Sequence, residues 1–460
     1  MNIVLISTYE LGRQPFGLAS PAAWLRKRGH HLTSLDLSRQ RLDEAAVREA
    51  ALVALYLPMH TATRLAAQLL PTLRQLSPRA HLCCYGLYAP MNAEFLRTLG
   101  VSSVLGGEFE EGLVHLVDRL APDGSGNGSG ASSVPQSEPL ISLARQKFIR
   151  PDREGLRPVE NYAHVILSSG EHRVAGYTEA SRGCKHLCRH CPIVPVYKGV
   201  FRIVDREVVL ADVRQQVAAG AEHITFGDAD FFNGIGHAVA LVEALHREFP
   251  RVTYDVTVKI EHLLKHRRQL ATLRNTGCLF VTSAVESVDD EVLGRLDKGH
   301  TRADFLEVTR LFRELDLVLH PTFVPFTPWT TPEGYLELLR DLRDNDLVEN
   351  VAPIQLAIRL LIPAGSRLLE LAEIRHLVGP FDPSALAYPW RNLDPRVDPL
   401  GAQVEQIVAS GERRKLPRRA IFERIWKAAR EAAGCQAEFA AQPVLMSRAA
   451  IPYINEPWYC

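Results

Sequence analysis

Cysteine is scarce in this chain, with eight in 460 residues, which excludes a disulfide framework. Charge of one sign is lacking too: 53 basic residues face 53 acidic ones, so whole-chain electrostatics point neither to nucleic acid nor to an anionic membrane. No apolar run approaches the ~20 residues of a membrane span. The opening "MNIVLISTYELGRQPFG" has neither the basic start nor the long apolar core of a secretory signal. A cytoplasmic protein without membrane or nucleic-acid partners is expected. The chain is longer than one core usually holds, so two or three domains are expected.

Short apolar strands alternate with helices in the first part. "NIVLIS" reads as a buried strand, followed by a helix that Ser20 and Pro21 should start and Gly29 should end. "HLTSLDL", "ALVALYLP", "AHLCCYG" and "VSSVLGG" follow, and the helix "FEEGLVHLVDRL" carries acids in its first turn. Five strands with intervening helices predict a flavodoxin-like doubly wound parallel sheet over 1–120. Ligands on such sheets sit beyond the carboxyl strand ends, here Pro58 to His60, Gly86 to Ala89 and Gly106 to Glu110. Adjacent Cys83 and Cys84 should point to opposite faces of one strand as core filler. The Gly/Ser-rich stretch 121–139 reads as a flexible linker.

A second β/α series should occupy 140–395, with strands at "AGYTEA", "HITFGD", "VTYDVTVKI", "LFVTSAVES", "LVLHPTFVPF" and "IQLAIRLL". Six units are too few for a closed eight-stranded barrel and suit a partial (β/α)6 barrel. A solid parallel core would be apolar on both strand faces. Here Asp255, Thr257, Lys259 and Glu261 share one face, Thr282, Ala284 and Glu286 another, with His320, Thr322, Gln355 and Arg359 joining them. A polar, ligand-binding interior is expected, with Trp329 near its mouth. Residues 396–460 read as a small helical extension, its basic amphipathic helix "PRRAIFERIWKAAREAAG" being a docking element.

The loop "ASRGCKHLCRHCPIVPVY" concentrates Cys184, Cys188 and Cys191 in the pattern Cys-x3-Cys-x2-Cys. A structural zinc site closes its tetrahedron with four protein ligands, and His186 or His190 would need awkward geometry to supply the fourth. Three thiolates on a four-iron cluster leave one iron free to be chelated by a small molecule with amino and carboxylate groups. This pattern after the first strand of a partial barrel resembles the radical S-adenosylmethionine (radical SAM) superfamily, over about Gly176 to Ser366.

The resemblance implies a 4Fe–4S cluster on Cys184, Cys188 and Cys191. That cluster passes an electron from an external flavodoxin- or ferredoxin-type donor to bound S-adenosylmethionine (SAM), and cleavage gives a 5′-deoxyadenosyl radical. It also implies roles around the cofactor. His190 would stack on adenine, Asp228 or Asp230 in "GDADFFNG" would bind the methionine amino group, Glu286 and Ser287 would approach the ribose or methionine, and Arg359 would face its carboxylate. The flavodoxin-like sheet before the barrel resembles the cobalamin-binding group, with "VLGGEFEEGL" as its last loop and helix. A corrinoid would then lie near Gly86, Gly106 and Gly107. "STYELGRQPFG" lacks the cobalt-ligating histidine of some members, which leaves His60 as a substitute; a degenerate domain that only caps the barrel is the alternative.

Finally, "RGCKHLCRHCP", "GDADFFNG", "KIEHLL", "PFTPWTT" and "IRLLIPAGS" resemble a radical SAM family with a Cys-Cys-Ala-Glu-Pro or selenocysteine-containing tail. Cys460 would be the first member of that pair, cut short at a selenocysteine codon. The reading that follows is cobalamin-dependent methyl transfer to an unactivated carbon of an unknown small molecule or peptide. A cobalamin-independent radical SAM reaction and a non-catalytic iron–sulfur or zinc scaffold are the other two.

Overall fold

The computed structural model describes residues 1–121, 138–435 and 451–455. The first sheet is built from β1 (Asn2–Ser7), β2 (His31–Asp36), β3 (Leu52–Tyr56), β4 (His81–Tyr85), β5 (Ser103–Gly107) and β6 (Ile141–Ser142). All pairings are parallel, in the order β2-β1-β3-β4-β5-β6, the flavodoxin-like order expected. Helices α1 (Phe16–Arg26) and α5 (Phe109–Leu120) pack on one face. Helices α2 (Glu44–Glu49), α3 (His60–Leu76) and α4 (Ala93–Thr98) pack on the other. Cys83 belongs to the first core and Cys84 to the second, as strand alternation requires. The short β6 lies beyond residues 122–137, which hold most of the expected linker and fall outside the described residues. The first sheet therefore extends past the boundary read from composition.

One helix start differs from expectation. α1 begins at Phe16, and Ser20 and Pro21 sit inside it. Proline cannot donate to the carbonyl four residues earlier. That carbonyl, on Gly17, instead accepts the Tyr85 hydroxyl at 2.8 Å, while Ser20 Oγ donates to Glu110 Oε1 at 2.6 Å.

The second unit comprises β7 (His164–Ile166), β8 (His172–Thr178), β9 (Ser181–Gly183), α6 (Ile193–Tyr197), β10 (Phe201–Ile203), α7 (Arg206–Ala218), β11 (His223–Phe226), α8 (Ile235–Glu248) and β12 (Thr253–Thr257). It continues through α9 (Ile260–Lys265), α10 (Leu270–Asn275), β13 (Cys278–Glu286), α11 (Asp290–Leu296), α12 (Arg302–Glu314), β14 (Val318–Phe323) and α13 (Pro332–Asp344). Strands β8, β11, β12, β13 and β14 are parallel and form a curled partial barrel. The chain finishes with α14 (Ala372–Leu377), α15 (Val397–Arg413), α16 (Arg418–Ala432) and β15 (Tyr453–Ile454). As expected of a docking helix, α16 buries Ile421, Phe422, Ile425 and Trp426 in the barrel's outer core. β15 pairs antiparallel with β7 and so returns the tail to the edge of the barrel sheet. None of the described helices is long and apolar enough to cross a membrane.

The sixth expected strand, "IQLAIRLL", does not form. Residues Pro353–Leu356 make a 3-10 turn, and one bridge, Phe326 to Arg359, is all the pairing that follows. Side chains take over the backbone's role there: Gln355 Oε1 accepts the Phe323 N–H at 3.2 Å, and Tyr335 donates to the Leu356 carbonyl at 2.8 Å.

Candidate functional site

The cysteine loop leaves β9 and returns through the antiparallel partner β10. Gly183 must be glycine, with φ 75°, because a Cβ there would stand 2.4 Å from the Val200 carbonyl oxygen. Backbone contacts pin the loop: Arg189 N–H reaches the Leu296 carbonyl at 2.9 Å, Ser366 Oγ the Arg189 carbonyl at 3.2 Å, and Arg367 the Leu187 carbonyl at 2.7 Å. Cys188 is buried and Cys184 and Cys191 are half-buried. Burial raises the Cys184 thiol and pushes Cys191 up to about 12.

Each loop histidine stands beside an acid. His190 Nε2 lies 3.1 Å from Glu286 Oε1, and His186 faces Asp230 and Lys259. The donor set is therefore three thiols, which suits a cluster with one open iron and not a closed zinc tetrahedron.

Glu286 closes β13 at φ 69° and is buried. Burial works to raise its carboxyl, but Lys298, 3.4 Å away, and His190 overcome this and hold it at about 2. Lys298 comes from the turn after α11. Asp228 is buried behind the loop, where its carboxylate accepts the Ala180 N–H at 2.9 Å and the Ser181 hydroxyl. Burial lifts it to about 7. Asp230 instead faces His186 and His262.

Two expected residues do not join this group. Ser287 Oγ accepts the Asp289 N–H at 3.0 Å, at the start of α11. Arg359 stacks on Trp390 at 3.5 Å and pairs with Asp398 at 2.7 Å, with its side chain 42% exposed. Without a sixth strand nothing turns Arg359 inward.

Within the barrel is a cavity of about 220 Å³. Asp255, Thr257, Thr282, His320, Thr322 and Gln355, read as polar strand faces from alternation, line it together with Thr225, while Lys259, Glu261, Glu286 and Arg359 lie outside it. Asp255 is satisfied by His223 at 2.9 Å and Thr225 at 2.6 Å, and His320 stacks on Phe280 with ring centroids 4.3 Å apart. Leu11 and Arg13 from the β1–α1 loop complete the wall, with Arg418 and Tyr453 from the C-terminal region. Trp329 is absent from it and packs under Arg295.

The C-terminal edge of the first sheet is filled with protein. A Cβ at Gly106 would stand 2.5 Å from Pro90, at Gly107 2.2 Å from the Ser142 oxygen, and at Gly86 2.9 Å from Tyr56. Tyr56, Tyr85 and Phe109 pack together with centroids 5.0 to 5.8 Å apart. His60 Nε2 lies 2.6 Å from the Ala385 carbonyl. These residues do not form an open corrinoid seat. What joins the two sheets is Arg182, which the sequence did not single out. It is buried against Glu110 (2.6 Å), Glu179 (2.7 Å) and Glu108 (3.4 Å).

Fold and loop together set three cysteines of one loop beside a parallel partial barrel. Residues 178–347 match the Radical SAM superfamily, whose members use a 4Fe–4S cluster and SAM. Among curated proteins, the ribosomal protein uS12 methylthiotransferase RimO of Syntrophotalea carbinolica is 24% identical over 35% of this chain and 38% of its own length. The hopanoid C-3 methylase of Methylococcus capsulatus is 23% identical over 69% of this chain and 62% of its own. The chain thus spans less than half of the first methylthiotransferases it matches. Among solved structures, the radical SAM methyltransferase TsrM from Kitasatospora setae aligns with TM-score 0.62 and 18% identity, over 84% of this chain and 82% of TsrM. The cobalamin-dependent radical SAM enzyme OxsB, with aqua-cobalamin bound, aligns with TM-score 0.65 and 15% identity, over 89% of this chain and 67% of OxsB.

Proposed function

We propose that the protein is a radical SAM methyltransferase acting on a small molecule or peptide side chain held in the barrel cavity, with Cys184, Cys188 and Cys191 as the cluster ligands. The observation that carries this reading is the loop itself, which carries Cys184, Cys188 and Cys191 between β9 and α6 and sets His190 Nε2 3.1 Å from Glu286. When bound, the cluster supplies the electron that splits a carbon–sulfur bond of SAM, drawn from a flavodoxin- or ferredoxin-type donor.

The chain's own groups position the reactants. Asp228 offers an acceptor for the methionine ammonium, whose charge would draw off the proton that burial favours. His190, fixed by Glu286, offers a ring face to adenine. Glu286 stays ionised through Lys298 and can accept from a ribose hydroxyl.

Methyl transfer is supported by the names of the hopanoid C-3 methylase and of the methyltransferase TsrM. The folds of TsrM and OxsB also support a second reading, in which the first sheet carries cobalamin. That reading requires Tyr56 to leave the faces of Gly17 and Gly86, where a Cβ would meet it at 2.0 and 2.9 Å. Anaerobic reconstitution with SAM and hydroxocobalamin, followed by gel filtration, tests both. Methyl transfer with cobalamin predicts retention of SAM and corrinoid, and tighter corrinoid retention by Tyr56→Ala. SAM retained with no corrinoid on either protein would remove cobalamin from the reading, and loss of SAM would overturn the proposal as a whole.

A further inference from the structure

A second group of ligating side chains lies beside the cysteine loop. His186 comes from the loop, Asp230 from the turn after β11, and His262 from α9. Their candidate ligand atoms all lie within 4.8 Å of one another. His186 Nε2 stands 3.3 Å from Asp230 Oδ2, and His262 Nδ1 stands 2.7 Å from the same oxygen. The side chains are 15%, 2% and 8% exposed.

Despite these separations, none of the three atoms makes a properly directed hydrogen bond. The two histidines hold the Asp230 carboxyl down as close ion-pair partners, but a buried oxygen without a well-directed hydrogen bond is costly unless something sits among the three. A metal ion removes that cost. Two ligands on bonds of about 2.1 Å stand about 3.0 Å apart at a right angle and about 3.4 Å apart at the tetrahedral angle. The observed 2.7 and 3.3 Å need adjustments of only a few tenths of an ångström. Asp230 Oδ1 is already engaged by the Phe232 N–H at 3.1 Å, which orients the carboxylate and leaves Oδ2 for the ion.

An outer shell is also present. Glu261 Oε2 lies 3.7 Å from His186 Nδ1, where an acid can accept the ring proton of a ligating histidine. Lys259 Nζ lies between them, 3.1 Å from His186 Nδ1 and 3.2 Å from Glu261. Lys259 can only donate to Nδ1, so with the ion on Nε2 the ring proton moves to Nδ1 and the Lys259 ammonium turns fully to Glu261.

We propose that His186, Asp230 and His262 form a mononuclear site for a divalent transition ion. Two imidazoles and one carboxylate suit zinc or ferrous iron rather than magnesium or calcium, which prefer oxygen alone. Three protein ligands leave coordination positions for water or for an oxygen or nitrogen donor of a substrate. Asp230 follows Gly227 and Asp228, both on the cavity wall. His186 lies between Cys184 and Cys188, so the ion also braces the cysteine loop.

Zinc is the probe, because iron in this site would be lost against the cluster's own iron. Protein carrying its full complement of cluster iron is equilibrated anaerobically with zinc, desalted and assayed for both metals. About one zinc per chain is expected, with X-ray absorption at the zinc edge showing nitrogen and oxygen neighbours only. His262→Gln and Asp230→Asn are expected to cut bound zinc at least about tenfold while cluster iron stays. Iron-replete parent protein without stoichiometric zinc, or zinc with sulfur neighbours, would overturn the assignment. The spectrum of the parent protein decides the matter even if a variant fails to fold.

Discussion

Cys188→Ala is expected to lose cluster iron and with it all SAM cleavage, while the protein stays folded. Assembly needs every thiolate, since a cluster held by two sulfurs exposes a second iron to solvent and to loss. The sheet cores do not depend on this residue: the clusters of buried apolar side chains in both sheets exclude Cys184, Cys188 and Cys191. Iron content should fall below about a tenth of the parent's after identical reconstitution, with unchanged far-ultraviolet circular dichroism. A Cys188→Ala protein that kept the parent's iron would contradict the ligand assignment.

Arg182→Met is expected to have the largest effect on stability. The guanidinium is 7% exposed as a side chain, pairs with three glutamates and lies 5.1 to 5.9 Å from the rings of Phe16, Phe109 and Phe148. Methionine keeps much of the volume and removes the charge. Glu108, Glu110 and Glu179 would then share a buried space without a cation, and breaking such a set costs about 3–5 kcal/mol. Two of the carboxyls are already displaced by burial: Glu108 is lifted to about 7 and Glu179 is raised as well. The variant should therefore recover some stability as the pH falls and its carboxyls take up protons. Urea denaturation at pH 8 and pH 6 measures this, and equal stability of parent and variant at pH 8 would show that Arg182 does not join the sheets.

Much of this arrangement was legible because strands declare themselves by apolar runs and alternation. The order of the first sheet, the opposed Cys83 and Cys84, and the polar cavity wall from Asp255 to Thr322 all follow from that periodicity. Local signals failed where a distant partner decided. Pro21 reads as a helix start, yet it sits inside α1 because the Gly17 carbonyl it leaves unpaired finds Tyr85, far along the chain. "IQLAIRLL" alternates like a strand, but Pro353 and the Gln355 side chain replace the ladder. Arg359 falls on the expected inward face, and its partner Asp398 lies in α15, where no spacing rule would find it. Glu286 was legible, but Lys298 was not. His186, Asp230 and His262 come from three separate segments, and only the closed fold puts them within reach of one another. Cys460 and the tail reading attached to it fall outside the described residues.

The most direct measurement is the fate of SAM on the anaerobically reconstituted parent protein under a low-potential reductant. Formation of 5′-deoxyadenosine, or of a methylated product in its place, is expected in the parent and absent in Cys188→Ala. SAM recovered intact from iron-replete, reduced parent protein would contradict the claim that this loop cleaves it.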